Sequence, residues 1–471
     1  MRWLYLLLTF AACGHNSGKP DAGEADAFEF KDACTELSCF QFDCGSKGLP
    51  STSISGTVYA PNGTLKLYGV DVYVPRSDPG PLIDGVRCET CSAGLQGGSF
   101  AQTRTDENGH FLLENVPATA NVPVVIQIGK WRRQLTIPTV AACQDLALPV
   151  TDTRLPKDTT EGDLPQIAIS TGAADAIECL VYRLGIAPTE FTAPAGTGRV
   201  HMFANQGIAV PGSQPPTGGR GTDQFNATWP GGASAMFGSS EALWADTTSL
   251  NKYDIVMLSC EGGQNPASKP QTAMDALKSY ADGGGRVFMS HWHNIWIGGE
   301  SGVLSHGVPE WQSVASWDYS AAQSEVTQLD IIDETVPKGM SFATWLLNNG
   351  VPPPRGQLTV TEPRYTCTDR DAAKGERWVY VDPALSTPLG RSSVQDLLFT
   401  TPQSKLPEER CGKVVFSDMH VSSGSLSGAG ATGTAFAYPF PDGCSTGDLT
   451  PQEKALAFIF FDISSCVGTI F

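Results

Sequence analysis

Three short stretches place the side chains best suited to chemistry at the ends of apolar runs: Cys260 and Glu261 after DIVMLS, Ser290, His291 and His293 after RVFM, and Asp418, His420 and Ser422 after GKVVF. Imidazole nitrogens and carboxylate oxygens suit zinc, which takes about four such ligands near 2.0–2.2 Å. His291, His293, Asp418 and His420 therefore form a candidate zinc set. Glu261, Ser290, His291, Asp418 and His420 are the candidates for proton transfer or attack. Residues 291 and 293 share one face only if they lie in a strand; in a turn they splay. Trp292 and Trp296, with Trp311 and Trp317 further on, have the flat faces that stack on a sugar, so Trp292 and Trp296 are ligand-binding candidates. The alternatives are plain: tryptophans complete the cores of large domains, and polar strand ends hydrogen-bond loop backbone.

Several chemistries are excluded. No G-x-S-x-G elbow surrounds Ser290, which argues against a serine hydrolase. Residues 283–285 are a helix-ending GGG run, and neither a dinucleotide fingerprint nor a Walker loop is present. With 31 Lys plus Arg against 49 Asp plus Glu, the formal net charge is −18, so a phosphate backbone is repelled and no nucleic-acid partner is expected.

Three strand ends meet only if the elements before them are parallel, because ligands of an open α/β sheet collect beyond the carboxyl ends of its strands. The pattern supports this. YDIVMLS is an apolar strand, PQTAMDALKSYA is a helix with Ala273, Leu277 and Tyr280 near one face, DGGG ends it, and RVFMS is a second apolar strand. GKVVFS and a terminal helix, LTPQEKALAFIFFDISSCV, repeat the theme, with Thr450, Pro451 and Glu453 at capping-box spacing. Asp254, just before its strand, reads as a cap or turn residue.

Residues 53–150 have another texture, with alternating runs (SISGTVYA, LYGVDVYVP) broken by PNG and ENG turns. Asp106 and His110 read here as turn and surface residues. The whole is expected to be multidomain: a small all-β sandwich at 53–150, a polar linker at 151–164, and an α/β domain at 165–471 with a mostly parallel, flavodoxin-like sheet. Segments 205–249 and 301–410 read as insertions, the first an extended surface excursion, the second a lid or docking segment.

Family resemblances follow from the same motifs. ISGTVYAPNG, GVDVYVP and TDENGHFLLENVP resemble the carboxypeptidase regulatory-like (transthyretin-like) family, which implies a noncatalytic spacer or binding module. YDIVMLSCEGG, YADGGGRVFMSHWH and CGKVVFSDMHV resemble the ThuA-like branch of the class I glutamine-amidotransferase-like superfamily. That superfamily carries a nucleophilic cysteine at the turn after the VFMS strand. Ser290-His291-Trp292 stand there instead, which excludes glutamine hydrolysis by that mechanism.

The amino terminus is similar to a bacterial lipoprotein signal. Arg2 precedes the apolar WLYLLLTFAA, which runs into Cys13. Ten apolar residues reach about 15 Å as a helix, half a hydrocarbon core of about 30 Å, so residues 1–13 read as an export signal with Cys13 as the lipidation site. Gly14 favours the outer membrane, and 14–52 reads as a flexible tether with a cysteine-rich lead-in. Export makes the other cysteines (34, 39, 44, 88, 91, 143, 179, 260, 367, 411, 444 and 466) disulfide candidates, with Cys88 and Cys91 expected to pair locally. The functional expectation is a lipid-anchored envelope protein whose partner is a glycan or another protein, bound without catalysis. A degenerate ThuA-like, metal-assisted hydrolase or carbohydrate-processing enzyme is the rival, and a purely structural component the third reading.

Overall fold

The computed structural model of the chain describes residues 36–91, 94–205, 222–230, 236–320, 327–361, 363–385, 392–421 and 438–467. Cys13, Cys34 and the 14–33 tether lie outside the described residues. The architecture mixes two small β-sheets with a larger body of sheet and helices.

The amino-terminal body is built from β1 (Ser53–Thr57), β2 (Asp71–Pro75), β3 (Ser99–Arg104), β4 (His110–Glu114), β5 (Ala120–Ile128), β6 (Trp131–Thr139) and β7 (Asp145–Ala147). One sheet runs β4-β1-β7 and the other β3-β2-β5-β6. Alternation sends Phe111 and Leu113 of β4 inward beside Ile54, Val72 and Val124. Gly56 faces Phe111 in register, and a Cβ there would lie 2.9 Å from the ring, so this position admits no side chain. The ENG turn carries the chain from one sheet to the other: the Asp106 carboxylate accepts from the Asn108 and His110 amides, at 2.8 and 2.9 Å, and Gly109 takes φ 70°.

Segment 151–164 is packed rather than a free linker. Leu155 and Leu164 are buried, Arg154 pairs with Glu161, and Asp163 with Arg132.

The larger body contains β8 (Ile167–Thr171), β9 (Phe191–Thr192), β10 (Val200–Ala204), β11 (Gly238–Ser239), β12 (Ile255–Leu258) and β13 (Arg286–Ser290). After β14 (Ala315–Trp317) and β17 (Cys367–Arg370), which form a separate two-stranded antiparallel sheet, are set aside, β15 (Gln328–Ile332), β16 (Gln357–Val360), β18 (Gly375–Val381), β19 (Ser393–Thr401) and β20 (Gly412–Ser417) complete one sheet. Its order is β11-β10-β8-β12-β13-β20-β19-β18-β15-β16. Neighbours from β11 to β20 are parallel, whereas β20, β19, β18, β15 and β16 are antiparallel. The sheet is thus mixed, with six parallel pairings and four antiparallel ones, and much of 301–410 is its antiparallel wing instead of a lid.

Helices cover both faces, and this explains the uninterrupted apolar strands. Ile255 and Met257 of β12 join one core, while Val256 and Leu258 join the other. On the second face lies Gln271–Asp282, burying Ala273, Leu277 and Tyr280. Pro451–Ser464 lies on the first, begun by the capping box of Thr450 and Glu453. This terminal helix also meets the amino-terminal body, through Phe460 and Phe461 at Trp131 and Phe458 at Tyr68. The 205–249 stretch also contributes to the core: Phe225 and Trp229 nest with Phe191, Tyr182 and Phe440, and Trp229 Nε1 donates to the Phe191 carbonyl at 3.0 Å.

Sulfur joins the bodies. Cys88 pairs with Cys411 and Cys91 with Cys466, not with each other. The reason is local: Thr90 bridges to Val467, with the Cys91 amide on the Val467 carbonyl and the Val467 amide on Glu89, so each thiol meets a neighbour across the seam. Cys44–Cys143 and Cys179–Cys444 complete the described pairs, and Cys39 is also disulfide-bonded. Cys260 and Cys367 are free thiols, contrary to expectation.

Asp254 is no turn residue either. Lys130 Nζ meets its Oδ1 at 2.5 Å and donates to the Ile83 and Gly85 carbonyls, while Asp254 Oδ2 accepts from the Gln166 amide. Both side chains are buried, so Lys130→Met should strand a carboxylate and cost roughly 3–5 kcal/mol in urea unfolding. Adding Asp254→Leu to it should recover most of that loss; no recovery would mean that the seam depends on Lys130 for packing instead.

Candidate metal centre

The parallel half of the sheet brings its carboxyl ends together. Cys260 follows β12, His291 follows β13 and His420 follows β20. One ligand atom from each lies within 4.8 Å of the others, and all three residues are buried. Cys260 Sγ is 3.4 Å from His291 Nδ1, and the His291 and His420 rings are 5.3 Å apart. Tetrahedral zinc with bonds near 2.0–2.3 Å holds its ligands about 3.5 Å apart, so contraction by about 1 Å would close the set. Three protein ligands and an open fourth position are the usual form of a catalytic zinc site. The cluster can coordinate a metal ion.

His420 carries the clearest sign of an absent partner. Both ring nitrogens are buried and make no hydrogen bond among the described residues. Since burying such groups unpaired costs about 1–3 kcal/mol each, a neutral ring held this way is poised for a ligand. Burial, and then the Arg364 guanidinium, holds His291 and His420 well below the usual imidazole range, so both rings are neutral. Burial pushes the Cys260 thiol up to about 12, although the Trp292 and Gly262 amides oppose it.

Backbone geometry supports the same focus. His291 has φ 38°, at the sharp passage from β13 into a turn and the short helix Ile295–Gly298. A non-glycine residue there costs on the order of 1–3 kcal/mol, and such strain concentrates at functional sites. Asp175, just after β8, ties the loops together: it accepts from the Ser290 hydroxyl and from the Ala176 and Val421 amides. Burial raises its carboxyl to about 6, against these hydrogen bonds.

The remaining candidates are placed elsewhere. His293, expected among the ligands, gives Nε2 to the Ser259 carbonyl at 2.9 Å and takes the Trp296 indole N–H on Nδ1 at 2.9 Å, so both nitrogens are spent. Positions 291–294 form a turn of 3₁₀ helix, and the two imidazoles splay. Asp418 spends its carboxylate on the Thr366 hydroxyl and the Cys367 amide, with burial raising it to about 7. Glu261 is locked by Lys269 at 2.6 Å and by Asn205 and Asn265; burial works against its charge, but Lys269 and His293 keep it below the usual range. Ser290 donates its hydroxyl to Asp175. Trp296 and Trp311 are fully buried, so no sugar platform forms at Trp296. Trp292 is half-buried, with its ring centre 4.6 Å from that of His291.

Two residues escaped sequence reasoning. Asp175 follows the first parallel strand and was open to the same strand-end argument as the others. Arg364 sits in a stretch with no motif, its amide on the Asp418 carbonyl, and nothing in the sequence pointed to it.

No protein-family description matches the chain, and no curated protein matches it. A chain of a type II cohesin–X-dockerin complex from Acetivibrio cellulolyticus is similar over 30% of this chain and 75% of its own, at 15% identity and a TM-score of 0.16. A cytoplasmic protein from Salmonella typhimurium is similar over 55% and 87%, at 11% identity and a TM-score of 0.28. Likeness at these scores carries no argument about function.

Proposed function

We propose that this chain is an exported, lipid-anchored envelope protein whose α/β domain is a zinc-assisted hydrolase, with Cys260, His291 and His420 as ligands. The observation that carries the reading is His420, whose two ring nitrogens are buried and unbonded among the described residues, beside a thiol and a second neutral imidazole. When bound, zinc supplies Lewis-acid chemistry, polarising a carbonyl and activating water. The chain's own residues do the rest: Asp175 and Ser290 hold the loops, and Arg364 adds positive charge near the rings. The four described disulfides support an oxidising compartment, and the ThuA-like and carboxypeptidase regulatory-like resemblances support the division of labour.

The test is a panel of chromogenic acyl esters and acetylated sugars with the oxidised full chain. At least one substrate should turn over, with activity lost on chelation, restored by zinc and abolished in His420→Gln. Turnover that survives chelation and H420Q would overturn the assignment, as would an inert panel with stoichiometric zinc bound.

A further inference from the structure

At the opposite end of β20 from His420 lies a second feature. A cavity of about 370 Å³ opens between the amino-terminal body, the antiparallel wing and the terminal helix. That volume is within the roughly 300–1,000 Å³ of small-molecule sites. Lys413 is the second residue of β20 and His420 lies three residues past its end, so about 13 Å of strand, from Lys413 to Ser417, separates cavity and metal cluster.

Its lining is unusual for this chain. Against a net charge of −18, the cavity's charged groups are Arg104, Lys338 and Lys413 facing Glu376 and Asp462. Asp462 is neutralised in place: burial works against its charge, but Lys338 and Lys413 outweigh it and hold it at about 2. Lys413 is fully engaged, with Nζ on the Asp462 carbonyl, its carboxylate and the Ser465 hydroxyl. Among the described residues Lys338 makes one ion pair, to Asp462, and it is partly exposed, which leaves N–H groups for the cavity. Arg104 gives Nε to Asp71 and keeps its terminal nitrogens at the rim. Burial raises the Glu376 carboxyl, so this acid opposes the positive field weakly. Aromatic surface completes the wall. Tyr68, half-buried, stacks one face on Phe458 at 6.1 Å, and Trp378 stands beside Phe458 at 5.8 Å.

We propose that this cavity binds an acidic sugar, a pyranose ring bearing a carboxylate, with the ring against the half-buried Tyr68 and the carboxylate on Lys338. An aromatic face suits the C–H face of a pyranose. The polar groups are spread around the cavity at Lys338, Arg104 and Glu376, which suits a ring of hydroxyls better than an acyl chain, whose polarity sits at one end. The site is independent of the metal cluster and of any hydrolysis there.

Calorimetry on the oxidised, metal-free full chain tests it, with D-glucuronate as probe and D-glucose and decanoate as comparators. Saturable heat is expected with glucuronate, at an affinity at least about tenfold above glucose, a difference of about 1.4 kcal/mol. Lys338→Met, which keeps the stem and removes the charge, should weaken glucuronate about tenfold or more; Arg104→Gln at the exposed rim is the second variant, should K338M fold poorly. Zinc titration of each variant should be unchanged. Absence of glucuronate binding, equal binding of glucose, tighter binding of decanoate, or an unaltered affinity in both variants would each overturn the proposal.

Discussion

One equivalent of zinc is expected to bind the oxidised, metal-stripped protein, and His420→Gln and Cys260→Ser are each expected to abolish that binding. Because His291 and His420 are already neutral, the only proton that must leave is the one on Cys260. Binding should therefore release about one proton per metal, and affinity should rise about tenfold per pH unit through neutrality. The sign follows from the thiol: burial holds it protonated, the metal takes the thiolate, and higher pH favours the bound form. At a hundredfold excess over Kd the metal should stabilise the fold by about 2.7 kcal/mol. Ser290→Ala, which frees Asp175 from its hydroxyl partner, should weaken zinc binding, because Asp175 also holds the Val421 amide beside His420. His293→Gln should keep the equivalent, since both of its nitrogens serve Ser259 and Trp296. Calorimetry in buffers of different ionisation enthalpy reads the proton and the stoichiometry together. Zinc retained by H420Q, or lost by H293Q in a protein that still folds, would displace the three-residue set in favour of another.

The second large effect concerns the sulfur seam. Cys88–Cys411 and Cys91–Cys466 span 323 and 375 residues, and removal of such a crosslink costs roughly 2–5 kcal/mol. The two are not independent. With one in place, the other closes only the ring through 88–91 and 411–466, so loop-closure entropy makes the second closure the smaller contribution. Cys88→Ser with Cys411→Ser should lower stability modestly. Removing both pairs should cost more than the sum of the two single deletions. Urea unfolding of the three variants measures this, and simple additivity would show that the seam is held by its backbone bridge and by Lys130–Asp254 without help from the shared ring.

The contrast between what the sequence disclosed and what it concealed has a physical basis. Buried parallel strands announce themselves as unbroken apolar runs because both faces are covered, which is why β12, β13 and β20 and their reactive ends were readable. The helix at 451–464 was readable down to its cap, since Thr450, Pro451 and Glu453 each satisfy a terminal backbone group. The antiparallel wing was not. β19 buries Gln395 and Asp396 within SVQDLLFTT, so polarity hides a central strand. The candidate metal cluster was half legible: His291 and His420 stand out by position, whereas His293 and Asp418 have the right chemistry and the wrong neighbours. Cys260 was assigned to a crosslink because export makes that the default fate of a thiol, and only geometry shows that no second sulfur reaches it. Cys88 and Cys91 misled for the opposite reason: closeness along the chain says nothing about which way two side chains turn.

The seam also decides what a nick can do. A protease cutting once at an exposed loop anywhere between residues 91 and 411 would leave two chains that still migrate as one on a nonreducing gel, because sulfur bridges lie on either side of the cut. The pieces would part only when a reductant is added, so a single cut would cost this protein a peptide bond without costing it its partner half.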